Sequence, residues 1–198
     1  MSERWEERYA RPGFYYGEAP NDFLVAVEPQ LPRGAEILSI GEGEGRNAVF
    51  LASCGHHVTG VDASPTGLEK ARRLAAVRGV TLTTELADLS TWDPGVECWD
   101  AVVSIWVHLP PPVRVRAHAA CVAALRPGGL LILEAYRPEQ LERGTGGPPD
   151  PALLYSLDVL RDDFRRLALV HAVEVTREVW EGAAHRGSSA VVQIVGRK

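Results

Sequence analysis

A chain of 198 residues, 45% hydrophobic and 24% charged, is long enough to bury a core without disulfide or metal staples and reads as one domain over 1–198. Its formal net charge of −5 argues against nucleic acid as a partner, because a phosphate backbone demands a basic face. The cysteines Cys54, Cys98 and Cys121 are spaced too widely for a disulfide framework or a zinc site, so no metal is expected and the cytoplasm is the expected compartment.

The N-terminal stretch is charged from its third residue and holds no apolar signal core. No apolar run approaches the ~20 residues of a membrane span, so no membrane partner is expected. Asn21 caps a short helix signal over Asp22–Glu28. Glu36–Ile40 is an apolar strand that runs straight into Gly41, and Arg46–Ser53 reads as a helix stopping near Gly55. His57–Val61 is the next strand, ending at Asp62. Ser64 and Pro65 then open a helix as N-cap and first helical residue, with Leu68, Ala71, Leu74 and Ala75 on one apolar face. Val80–Glu85 is a third strand, and Asp100–Val107 a fourth whose continuous apolar run suits burial on both faces. Pro112–Leu125 reads as a helix ending at a Pro127-Gly128-Gly129 turn, followed by the strand Leu130–Ala135. The link from Tyr136 to Pro151 is rich in Gly and Pro, and a link of that length suits a substrate-site loop over 136–151. Ser156–Leu167 is helical, and the strands Val170–Thr176 and Ala190–Val195 are joined by a loop around Gly182–Ser188. Alternating strands and helices imply an α/β fold: a doubly wound, mostly parallel, Rossmann-like sheet. The last two strands have no helix between them and can pair as a hairpin, which puts one antiparallel strand near the C-terminus.

The sharpest signal is Gly41-Glu42-Gly43-Glu44-Gly45-Arg46-Asn47 between the first strand and its helix. Glycines there let the chain turn tightly and let a ligand approach the backbone, while the helix behind offers free N–H groups and the positive end of its dipole. A plain strand-to-helix turn is the alternative. Asp62 sharpens the case: it ends the second strand 21 residues after Gly41, where an acid accepts hydrogen bonds from the ribose of a nucleoside cofactor. The alternative for Asp62 is a loop aspartate ahead of Ala63 and Ser64. The loop spacing is G-x-G-x-G rather than the dinucleotide G-x-G-x-x-G, and Glu42 and Glu44 would repel a pyrophosphate. A sulfonium cofactor with an α-amino group tolerates them. Leu86-Ala87-Asp88-Leu89 after the third strand could read an adenine, with a surface turn as the alternative. Ser104–Leu109 lies at the carboxyl end of the fourth strand, where ligands bind in open α/β sheets, so Trp106 and His108 are expected to face or flank the site.

Together these residues resemble the class I S-adenosylmethionine-dependent methyltransferases, close to the tellurite-resistance (TehB-like) and thiopurine methyltransferase branch. The matching pieces are Trp5-Glu6-Glu7-Arg8-Tyr9, Tyr16-Gly17 with Pro20-Asn21, GEGEGRN, VTGVDASP, LADL, the RPGG turn and the C-terminal EGAAHRG, and they cover nearly the whole chain. The resemblance implies a seven-stranded sheet whose last strand is antiparallel. It implies S-adenosyl-L-methionine as cofactor, with Gly41, Gly43 and Gly45 along its methionine part, Asp62 at the ribose, and Asp88 and Leu89 at the adenine. The wider expected cofactor set adds Tyr16, Glu42, Arg46, Asn47, Ala63, Ser64 and Ser104, with residues 1–34 as a helical segment over the site and Tyr15 or Tyr16 closing it. One position departs from the family: Ser39 stands where members carry an acid two residues before the first glycine, and Glu42 is expected to take over that role. The expected substrate is a small molecule, an oxyanion or thiol-like soft nucleophile, approached by Trp106, His108 and Arg137. Such an acceptor needs no general base, since the donor is already activated. If a base exists, His108 and His185 are the candidates. The alternative function is a non-catalytic S-adenosylmethionine- or adenosine-binding module.

Overall fold

The computed structural model describes residues 2–182 and 185–198. Its centre is a seven-stranded sheet in the order β3-β2-β1-β4-β5-β7-β6. The strands are β1 (Glu36–Ile40), β2 (His57–Asp62), β3 (Thr83–Leu86), β4 (Trp99–Ile105), β5 (Leu125–Tyr136), β6 (Ala168–Glu181) and β7 (His185–Arg197). The helices are α1 (Ser2–Tyr9), α2 (Asp22–Val27), α3 (Arg46–Ser53), α4 (Pro65–Arg78), α5 (Pro111–Ala124) and α6 (Leu157–Asp163). Strands β1 to β5 are parallel, and β7 runs antiparallel to both β5 and β6. The antiparallel strand expected near the C-terminus is therefore β7.

Both faces of the central strands are buried, because successive side chains alternate between the two helix layers. Leu38, Val102, Leu131 and Leu133 pack with Cys121, Val122, Leu160 and Phe164 of α5 and its neighbours. Ile37, Ala101, Val103 and Ile132 pack on the other face with Leu24, Val27 and Leu51 of α2 and α3. The helix starts follow their caps. The Ser64 side chain accepts from Gly67 N, Ser156 from Val159 N, and Asn21 from Leu24 N. Strand order reverses between β1 and β4, so their carboxyl ends flank the crevice where an α/β sheet takes its ligand.

Several boundaries differ from the sequence expectation, among them the end of α6, which stops at Asp163 instead of Leu167, and that of β4, which stops at Ile105 instead of Val107. Gly79, left-handed at φ 69°, ends α4, and Val80 N still bonds back to Ala75 O, which delays β3 to Thr83. The Arg126–Gly129 turn is absorbed as an irregularity at the start of β5, opposite Trp99 and Ala101. The last two strands are far longer than expected and pair from Ala168 with Arg197 to Glu181 with His185, with one register shift between Leu169 and His171. His185 therefore opens β7 instead of lying in a loop. Of the Glu181–Gly187 motif, residues 183 and 184 lie outside the described residues.

Candidate active site

The glycine loop turns between β1 and α3 with Gly41, Gly43 and Gly45 at φ 60°, 61° and 96°, conformations that L side chains rarely adopt. Space is equally restrictive: a Cβ on Gly41 would lie 2.7 Å from Val107 Cγ2, and one on Gly45 2.6 Å from Ala71 Cα. Asp62 holds the loop from the end of β2. One carboxylate oxygen accepts from Gly43 N and the other from Ser64 N, both at 2.8 Å. Burial raises its pKa despite these bonds. Ala87 N donates to Asp62 O at 3.0 Å, so the Ala87-Asp88-Leu89 stretch leaves β3 beside this carboxylate. Asp88 itself is exposed and accepts from Ser90 N at 2.8 Å.

Glu42 turns inward under the loop. Its carboxylate accepts from the Ser39 hydroxyl and, at 2.9 Å, from Ala48 N in the first turn of α3. Its stem passes Gly60, where an added Cβ would meet Glu42 Cγ at 3.0 Å. Burial pushes its pKa up to about 7, against the lowering effect of those hydrogen bonds. Glu42 thus lies beside Ser39 and is bonded to that serine.

The N-terminal segment lies across the loop. Glu6 of α1 accepts from the Ser64 and Thr66 hydroxyls. Lys70 of α4 donates to Arg11 O, Gly13 O and Glu44, at 2.8, 2.6 and 2.8 Å. Tyr9 is buried against Gly43 and Gly67, and Tyr16 N donates to Glu44 at 3.2 Å. Tyr16 and Gly17 meet the tip of the β6–β7 hairpin so closely that a Cβ on Gly182 would come within 2.4 Å of Tyr16 C.

Beyond the loop, ionic groups and aromatic rings interlock. Arg46 pairs with Glu181 at 2.5 Å, and Arg177 pairs with Glu134 at 2.6 Å and Glu181 at 3.2 Å. Asn21 donates to Glu134 and Glu181, and Gln193 donates to Glu134. Trp106 sits at φ 59°, where a bulky residue is strained. It is held there by its N–H on Glu134 O and its indole N–H on Glu181, at 2.9 and 2.6 Å. The rings of Trp106, Tyr136 and His185 stack, with interplanar angles of 24° for Trp106–Tyr136 and 14° for Tyr136–His185. Tyr16 lies against His185 at 4.8 Å between centroids. At the end of β4, level with Ile40, the Ser104 hydroxyl is buried and makes no hydrogen bond among the described residues.

Several expected site residues are corrected by their partners. Both ring nitrogens of His108 are engaged: Nδ1 lies 2.7 Å from Leu153 O, and Nε2 accepts from Tyr136 N at 3.4 Å. Burial pushes its pKa down to about 4, so His108 is a fixed wall residue with no nitrogen free to act as a base. The Arg46 side chain is committed to Glu181 and the Asn47 Oδ1 to the Asn21 backbone, which leaves the backbone of the first turn of α3 and the Asn47 amide nitrogen for a ligand. Arg137 pairs with Glu139 and Glu174, at 3.1 and 3.6 Å, so an anionic substrate would have to compete with two carboxylates. The 136–151 link is pinned to β7: Gln140 accepts from Ala190 N, and Thr145 donates to Ser188 O. Sequence reasoning missed Tyr9, Lys70, Glu134, Tyr136 and Arg177. Each carries its meaning only through a partner distant in the chain, and the one signal available was the run of polar residues inside otherwise apolar strands.

Residues 37–129 match the methyltransferase domain family. A 2-heptyl-1-hydroxyquinolin-4(1H)-one methyltransferase of Mycobacteroides abscessus is 29% identical over 146 residues, which is 72% of this chain and 64% of that protein. The chain thus spans less than two thirds of that relative. A structure solved for the conversion of a disulfide bond into a thioacetal group during echinomycin biosynthesis superposes with a TM-score of 0.81 at 26% identity, covering 100% of this chain and 91% of that one. A TehB-like SAM-dependent methyltransferase from Corynebacterium glutamicum gives 0.64 at 25%, covering 99% and 95%. With the sheet order, these matches make the chain similar to class I S-adenosylmethionine-dependent methyltransferases, TehB-like proteins included. S-adenosyl-L-methionine is the cofactor that this likeness implies. The residues present fit it: a glycine cradle that a Cβ would fill, a carboxylate at the end of β2, and a buried Ser104 hydroxyl with a hydrogen bond to give.

Proposed function

We propose that the chain transfers the methyl group of S-adenosylmethionine to a small molecule. The observation that carries this reading is the unpartnered Ser104 hydroxyl at the point where the sheet order reverses. In this reading Asp62 takes the ribose: each carboxylate oxygen already bonded to Gly43 N or Ser64 N keeps a second lone pair for a hydroxyl. The backbone of Gly41–Gly45 and the first turn of α3 receive the methionine end, with Glu42 and Ala63 beside it, while Ala87–Leu89 flank the adenine. Residues 2–34 close over the site, with Tyr9 and Tyr16 inward. When bound, the cofactor supplies a methyl group on a sulfonium; the chain supplies alignment and excludes water.

The acceptor lies against Trp106, Tyr136 and His185, with the 136–151 link as a wall. A soft nucleophile such as a thiol or an oxyanion suits this chamber, because among the described residues the two imidazoles there, His108 and His185, are poor bases. A second reading is a flat aromatic acceptor, favoured by the nearly parallel rings of Trp106, Tyr136 and His185 and by the hydroxyquinolinone that the Mycobacteroides relative methylates. Calorimetric titration with S-adenosylmethionine, S-adenosylhomocysteine and NAD tests the cofactor site: binding of the adenosyl ligands and not NAD is expected, and the reverse overturns it. Release of S-adenosylhomocysteine in a panel of thiols, oxyanions and hydroxylated heteroaromatics then decides the acceptor. No turnover with any class would leave a binding module.

A further inference from the structure

Tyr136 ends β5 and is fully buried. Its ring is held between Trp106, 4.3 Å away between centroids, and His108, 5.8 Å away, both nearly parallel to it. That fixes the direction of its hydroxyl, which lies 2.5 Å from Nδ1 of His185. We propose that Tyr136 is a positioning residue that holds His185 with its proton on Nε2, so that His185 meets the methyl acceptor as a hydrogen-bond donor and not as a base. This rests on the reading of the chamber given above.

Satisfaction of the polar atoms selects this tautomer. Among the described residues the Tyr136 hydroxyl bonds to Nδ1, with the Ser189 hydroxyl as its other polar neighbour, and Nε2 makes no hydrogen bond. If the phenol donates to Nδ1, both of those atoms are satisfied and a single N–H is left for a ligand. If instead Nδ1 carried the proton and donated to the phenol, the phenolic O–H would be left to the Ser189 hydroxyl, which already bonds to Gly187 O and Thr145, so the short contact to Nδ1 favours the phenol as donor. The charges agree. Burial raises the Tyr136 pKa, so the phenol keeps its proton. Burial, and then Arg46, push that of His185 down to about 3, against the pull of Glu181. The groups facing His185 are Arg46 of α3, Glu181 of β6, Tyr136 of β5, Trp106 and His108 after β4, and Tyr16 and Arg8 of the N-terminal segment. None of them supplies a lone carboxylate that would recharge the ring, since Glu181 is shared by two arginines. The acceptor therefore presents a lone-pair atom to this N–H and arrives with its nucleophile already deprotonated, as a thiolate or an oxyanion does and a neutral alcohol does not.

The test is long-range 1H–15N spectroscopy of the histidine rings in labelled protein, with and without S-adenosylhomocysteine, between pH 5 and 8. His185 is assigned by the loss of its signals in His185→Gln. The expected pattern is a pyridine-like Nδ1 and a pyrrole-like Nε2 with no change across that range. In Tyr136→Phe the single tautomer should be lost and Nδ1 should become partly protonated. A pyrrole-like Nδ1 in the parent, protonation of the ring within the range, or an unchanged tautomer in Tyr136→Phe would overturn the proposal. Should that variant fail to fold, the parent spectrum decides alone. The spectra need no turnover, so a chain that proves not to be a methyltransferase still leaves the tautomer measured.

Discussion

Asp62 and Glu42 are both buried carboxylates beside the glycine loop, yet they hold it from opposite sides. Asp62 restrains it at Gly43 and Ser64, whereas Glu42 ties Ser39 to the first turn of α3. Hydrogen bonds to a charged group are worth roughly 1.5–3 kcal/mol. Asp62→Ala should therefore weaken S-adenosylhomocysteine binding by about one to two powers of ten in calorimetry, and equal affinities would remove Asp62 from the site. For Glu42 the prediction concerns pH. Its pKa in the fold, about 7, lies above the ordinary carboxyl value of 4.5, so its stabilising contribution is complete below pH 4.5 and is lost as pH rises through 7. Glu42→Gln keeps an acceptor for Ala48 N without that titration. Its melting temperature relative to the parent should climb across this window, and a constant difference would refute the assignment. Asp62 could be read from the sequence because its meaning lies in its place after a strand. The inward turn of Glu42 could not, because it depends on the open face of Gly60 in the neighbouring strand.

At the scale of elements, the hairpin β6–β7, the helix α3 and the entry to α2 are joined through Glu134, Arg177, Glu181, Arg46 and Asn21. Glu134 has no exposed surface, and removing one member of a buried pair strands its partners. Glu134→Ala should cost about 3–5 kcal/mol in urea unfolding, and a cost below about 1 kcal/mol would show that water reaches the cluster. The contact between Tyr16–Gly17 and Gly182 has no room for a side chain. Gly182→Ala should lift the N-terminal segment and speed proteolysis within residues 10–18, with the melting temperature changed little. The strands and helices themselves were legible from alternation, caps and the Gly79 stop. The length of β6 and β7 was not, because polar residues such as Arg177, Glu181 and Gln193 interrupt the apolar pattern, and their burial depends on partners distant in the chain, Glu134 and Arg46 among them.

For the molecule as a whole, the proposed cofactor site is built from the glycine loop, the end of β4 and the N-terminal segment, so a ligand there should stabilise all three together. A ligand that binds only the folded chain stabilises it by about 2.7 kcal/mol at a hundredfold excess over its dissociation constant. S-adenosylhomocysteine should raise the unfolding free energy by about that amount, and NAD should not. Among the described residues no helix is long and apolar enough to cross a membrane.

The position of β7 has a consequence for how the chain is assembled. This strand comes later in the sequence than both of its neighbours, yet it sits between them, paired to β5 on one side and β6 on the other. Until it docks, the edge of β5 from Leu130 to Tyr136, an almost wholly apolar row, stays open to pairing with any other chain. The β6–β7 hairpin is a local pairing and can form by itself, so it is expected to arrive as a unit and to bring Glu181 and His185 with it. During synthesis, then, the interval between the emergence of β5 and that of β7 is when this protein is most exposed to misassembly, and the same docking event that ends the hazard completes the chamber.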